Sequence, residues 1–167
     1  MIVTDIQQFL EYWDRVRFRT RRVIACIPPE HLEWSFAKGR FTVGDLVRHL
    51  AGIERYMFVE CVIQRPIRYP GHGRELASGY KQVLEYFDRL NDESVKLLRS
   101  LTPEDLQRKV ATPDGTPITT WKWLRSMVEH EIHHRGQIYL YLAMLGVPTP
   151  PLYGLTEEQV LAHSQTG

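Results

Sequence analysis

The sequence predicts an all-α protein, one four-helix bundle over residues 1–167, and three observations carry that expectation. Four long segments repeat apolar residues at the three- and four-residue spacing of a helix face. Their ends carry capping and breaking residues, and no stretch sustains the alternation of a strand. A chain of 167 residues, 43% hydrophobic and 25% charged, suits a single closed core.

The first helix is expected over residues 5–26, with Ile6, Phe9, Leu10, Trp13, Val16, Thr20, Val23 and Ile24 along one face and Pro28 and Pro29 ending it. The second opens on Thr42 as N-cap, with Asp45 three residues on, and runs toward Pro66 with Leu46, Leu50, Ile53 and Met57 facing inward. The third spans residues 75–101, where Leu76, Tyr80, Val83, Leu84, Phe87, Leu90, Leu97 and Leu98 recur at helical spacing after a loop marked by Gly71 and Gly73. Thr102, Pro103, Glu104 and Asp105 read as the start of a one-turn helix, and Pro113, Asp114 and Gly115 as the turn of a tiny hairpin. The fourth long helix begins at Thr119 or Thr120 and stops at Gly146 and Pro148. A short tail helix is expected from Thr156, packed on the bundle after Pro148, Pro150 and Pro151.

Composition narrows the function classes. The 21 Lys and Arg against 20 Asp and Glu leave a formal charge of +1, too little to attract nucleic acid or an anionic membrane. Arg15, Arg17, Arg19, Arg21 and Arg22 are read as solvated or salt-bridged surface, because alternate helical positions scatter around the axis. No run approaches the length of about 18 apolar residues that a membrane span requires. Cys26 and Cys61 lack the spacing of a zinc ribbon or redox pair, so reduced thiols and a cytoplasmic location are expected.

The chemistry concentrates in histidines. His49 lies one turn from both Leu46 and Ile53, on the inward face of the second helix. His130 and His134 are four residues apart, about 40° around the helix, beside the stripe through Met127 and Ile138. Two neighbouring buried imidazoles penalise each other's charging, and a divalent cation removes that conflict by taking a lone pair from each neutral ring. With His49 the set offers three nitrogens, which suits zinc, nickel, iron or copper better than magnesium or calcium. His133 could replace His134 but sits further from the stripe, as an outer partner or a surface residue; His31, His72 and His163 read as solvated. Residues 130–134, HEIHH, also satisfy the zinc-peptidase pattern, but Gln137 and Leu140 stand where a metzincin carries glycine and histidine.

FTVGDLVRHLAGIERY at 41–56 and WKWLRSMVEHEIHHRGQIYLYLAMLG at 121–146 resemble the DinB/YfiT-like metalloenzyme family over nearly the whole chain. The resemblance implies a four-helix bundle in which His49, His130 and His134 bind a divalent metal, with homodimers in many members. It also implies thiol-dependent activity in several relatives, with low-molecular-weight thiols such as bacillithiol or mycothiol. The expected function is a metal-dependent enzyme with a small-molecule substrate, a thiol transferase or else a hydrolase. The competing class is a non-catalytic module that sequesters metal or ligand. Glu131 is the candidate general base or orienting carboxylate, or else a buried carboxylate paired with Arg or His. Substrate choice depends on how Trp13, Trp34, Tyr56 and Trp121 are disposed, and Tyr139 and Leu140, off the inward stripe, are expected at a dimer interface.

Overall fold

The structure, a computed structural model, describes residues 2–165. Helix α1 spans Ile6–Ile24, and the Asp5 carboxylate caps it by accepting from the Gln8 amide at 3.0 Å. Helix α2 (Val43–Ile53) starts with the expected capping box, in which Thr42 and Asp45 satisfy each other's backbone N–H groups. It runs without a break into a π-helical turn over Glu54–Val59 and then into the short α3, Glu60–Val62. The wider turn moves the inward register by one residue, so Phe58 is buried where simple periodicity assigned Met57, which is only half-buried.

Helix α4 (Tyr80–Leu98) starts five residues later than the spacing predicts. Arg48 donates through Nε to the Ala77 carbonyl at 2.8 Å, and Gly79 at φ 86° turns the chain in a conformation closed to most residues. Leu76 still packs on the core, from the loop rather than from a helix. Helix α5 (Pro103–Gln107) has its own capping box, and strands β1 (Lys109–Ala111) and β2 (Pro117–Thr119) pair antiparallel with Val110 opposite Ile118. Helix α6, Thr120–Met144, closes in a Schellman motif: Gly146 donates to Ala143 and Val147 to Leu142, with Gly146 at φ 69°. The tail helix α7 (Glu157–Gln165) buries none of its side chains, so the expectation that it packs on the bundle is corrected. Its apolar Val160 and Leu161 are exposed.

Helix α1 packs mainly on α6, and α2 lies between α6 and α4. The core divides into two apolar clusters. One contains Val23 and Ile24, Leu46 and Leu50, Phe87 and Leu90, and Ile138 and Leu142; the other contains Phe9 and Trp13, Phe58 and Val59, Leu98, and Leu124 and Met127. Between them a polar layer crosses the bundle, with Arg17 from α1, Glu54 from the π turn, Asn91 from α4 and Glu131 from α6. Arg17 Nη1 stands 3.0 Å from Glu131 Oε2 and 3.1 Å from Glu54 Oε2, and Arg17 Nη2 donates to the Phe87 carbonyl. Asn91 donates to Glu54 Oε1 at 2.9 Å.

Arg17 is therefore 5% exposed, a correction to its reading as a surface residue. The partners that make its burial affordable come from two helices far along the chain. Burial pushes the Glu54 carboxyl up and nearby Glu131 adds to that, while Arg17 pulls it back. No helix of the described residues is long and apolar enough to cross a membrane.

Candidate metal centre

On α2 the buried Leu46, Leu50 and Ile53 set the inward face, and His49 beside them meets α6 through His130. On α6 the fully buried line runs through Leu124, Met127, Glu131, Arg135, Ile138 and Leu142. His130 and His134 lie beside it, half-buried, along the seam with α2. One ring nitrogen from each of His49, His130 and His134 falls within 4.8 Å of the others. The Nε2 atoms of His49 and His130 are 3.1 Å apart, and the ring centre of His134 is 4.7 Å from that of His49 and 4.4 Å from that of His130.

This proximity shapes the electrostatics. Burial, with His134 and His72 nearby, lowers the His49 pKa to about 4. Burial and the neighbouring His134 and His49 lower that of His130 to about 3, and His134 is lowered chiefly by burial. At neutral pH the cluster is a set of uncharged imidazoles with convergent ring nitrogens, a donor set that fits a divalent transition ion.

Two rings are held from behind. His49 Nδ1 is 2.8 Å from the Tyr69 hydroxyl, and His134 Nδ1 donates to Gln137 Oε1 at 2.7 Å. Gln137 in turn donates to exposed His133, 3.2 Å away, so His133 lies outside the convergent set. Glu131 is one residue from His130 but points to the other side of α6, into the ion pair with Arg17; its Oε1 has no hydrogen-bond partner. Of the readings open for Glu131, the structure displays the carboxylate paired with arginine.

Two expectations are corrected here. His72, read as solvated, is half-buried beside the site, 4.1 Å ring to ring from Phe41 and 3.4 Å through Nδ1 from the Tyr69 hydroxyl. The tryptophans and Tyr56 are not the rings against the cluster: Trp13 is in the core, and Trp34 packs on Tyr141. Phe41 and Tyr69 flank His49, and Phe58 flanks His130. A Tyr-x-x-His pair after the second helix was the available signal, but only the path of the 64–79 loop brings it here. A groove of about 580 Å³ on the outer face of α6, under residues 149–158, is lined by none of the three histidines.

The DinB family model matches residues 1–165. The chain belongs to the DinB family. A DinB-like protein from Bacillus cereus has the same bundle, with a TM-score of 0.77 at 22% identity over 92% of this chain and 100% of that one. YfiT of Bacillus subtilis, a probable metal-dependent hydrolase with an unusual four-helix bundle topology, gives 0.67 at 19% identity over 86% of this chain and 89% of its own. A mutant of the mycothiol-dependent maleylpyruvate isomerase gives 0.60 at 12% identity, over 81% of this chain but 63% of that one. In sequence, the uncharacterized protein YjoA of Bacillus subtilis is 33% identical over 64 residues, a match spanning 37% of this chain and 42% of YjoA. These likenesses establish the DinB bundle, and within it the three histidines form the one potential metal-holding group among the described residues.

Proposed function

We propose that the chain is a divalent-metal-dependent enzyme whose ion is held by His49, His130 and His134, and that it activates a low-molecular-weight thiol for attack on a small electrophile. The observation that carries this reading is the convergence of three uncharged ring nitrogens from two helices. Three protein ligands leave room for an exogenous group, whereas a purely structural site is usually closed by a fourth. When bound, a zinc, nickel or iron ion would lower the pKa of a thiol or water beside it.

The protein's own residues prepare for this. Tyr69 and Gln137 hold His49 and His134 by their Nδ1 atoms, and Phe41 and Phe58 flank the cluster with apolar surface. Glu131 we assign to the buried ion pair with Arg17 and not to the chemistry of the centre, since its carboxylate is committed to that arginine. The thiol reading is supported by the shared bundle of a mycothiol-dependent enzyme, and the hydrolase alternative by that of YfiT. The free thiols Cys26 and Cys61 suit the reducing cytoplasm we propose as its location.

Cobalt substitution tests the function. Bacillithiol or a similar thiol added to the cobalt form is expected to raise an intense sulfur-to-cobalt charge-transfer band. Consumption of a halogenated or epoxide electrophile should then slow about 100-fold or more in His130→Ala. No band with any thiol tried rejects the transferase in favour of water-based hydrolysis; a band without turnover favours sequestration.

We also propose a homodimer through the outer face of α6, where Ile132, Leu140 and Met144 are 39%, 58% and 56% exposed. Sedimentation should give twice the chain mass at micromolar concentration and the single mass for Leu140→Glu. A wild-type monomer there overturns it.

A further inference from the structure

The 64–79 loop crosses α2 one turn beyond His49 and brings two polar groups behind that ring. The Tyr69 hydroxyl lies between two imidazole nitrogens, 2.8 Å from His49 Nδ1 and 3.4 Å from His72 Nδ1. The close approach depends on Gly52. A Cβ at that position would stand 3.1 Å from Tyr69 Cε2, 3.4 Å from Cδ2 and 3.6 Å from the Gly71 carbonyl oxygen. Glycine inside a helix costs about 1 kcal/mol relative to alanine, so this notch has a structural purpose only if the tyrosine must lie there. His72 is fixed in turn by Phe41, whose ring also meets His49 at 5.4 Å.

A phenol has one proton and can donate to only one of the two nitrogens. If His49 carries its proton on Nδ1, it donates to Tyr69 Oη, the phenol donates to His72 Nδ1, and the His49 Nε2 lone pair faces His130 and His134. If the chain runs the other way, Tyr69 donates to His49 Nδ1, and His49 then carries its proton on Nε2, pointed into the cluster where no ion could be held. The first polarity ends on His72, whose Nε2 then bears the proton at the outer end.

We propose that Tyr69 is a positioning residue that fixes the tautomer and orientation of His49, with His72 as the terminal acceptor of the chain and Gly52 as the notch that seats the phenol. The proposal rests on the metal reading for its purpose but not for its test.

Two readouts test it, after circular dichroism has confirmed wild-type helicity in each variant. In the metal-free protein, long-range ¹H–¹⁵N correlation is expected to find His49 protonated mainly on Nδ1, and Tyr69→Phe, which keeps the ring but not the hydroxyl, to lose that preference. In cobalt titrations followed by absorbance, Tyr69→Phe should weaken binding about 10- to 100-fold. Gly52→Ala, which displaces the ring but leaves every polar group in place, should weaken it in the same direction. His72→Ala should weaken it less than Tyr69→Phe, and His72→Gln, which restores an acceptor, should recover part of the loss. Cobalt affinity and His49 tautomer both unchanged in Tyr69→Phe overturn the proposal. If the wild type binds no cobalt, the metal reading fails by itself, and the His49 tautomer in metal-free wild type and Tyr69→Phe still decides the role of Tyr69.

Discussion

Protein purified with zinc or nickel in the growth medium is expected to carry close to one transition ion per chain, and His49→Ala, His130→Ala and His134→Ala to retain less than about a tenth of it. The size of the effect follows from the donor set. With one ring of three removed, the remaining two imidazoles hold an ion no better than an ordinary surface pair, whereas His133→Ala should leave the content unchanged because that ring is exposed and bonded to Gln137. Elemental analysis decides: equal metal in the wild type and the three alanine variants removes the centre, and loss confined to His133→Ala moves one ligand by a residue.

Acid provides a second arm of the same test. The folded pKa of His49 is about 4 and that of His130 about 3, below the unfolded value near 6.5, so the unfolded chain binds more protons between those limits. Metal-free protein should therefore show no contribution from these rings above pH 6.5 and should lose stability as pH falls from there toward 4. Urea midpoints should record a shallower fall in His130→Ala. The protein should stay helical on chelation at neutral pH, because its two apolar clusters do not include the histidines.

Arg17→Met is expected to cost about 3–5 kcal/mol, the usual result of stripping one partner from a buried ion pair. The substitution leaves Glu54 and Glu131, each with a side chain 2% exposed, facing each other without a cation. One carboxyl can escape by protonation, and Glu54 is already pushed that way, so the double variant Arg17→Met with Glu131→Gln should recover a substantial part of the loss. Urea unfolding measures both. A cost below about 1 kcal/mol for Arg17→Met would mean that the polar layer is hydrated and contributes little to holding the four helices together.

The elements that the sequence determined by itself are those whose signals are local. The Thr42 and Asp45 box, the one-turn helix start at Thr102, the Gly115 turn and the Gly146 stop each need only a few neighbouring residues, and each appears where the spacing places it. Apolar periodicity likewise reported the buried faces of α1, α2 and α6, and with the last two the approximate direction of His49, His130 and His134.

What tertiary structure decided concerns groups whose partners are distant in sequence. Arg17 is buried because Glu54 and Glu131 meet it from other helices, and helical spacing on α1 carries no trace of them. Helix α4 starts late because Arg48, 29 residues before Ala77, takes that residue's carbonyl. The π turn shifts Phe58 into the core by an insertion that a fixed 3.6-residue period cannot represent. Tyr69 and His72 reach the histidine cluster because a loop folds across Gly52, and loop residues have no period that reports what they will face.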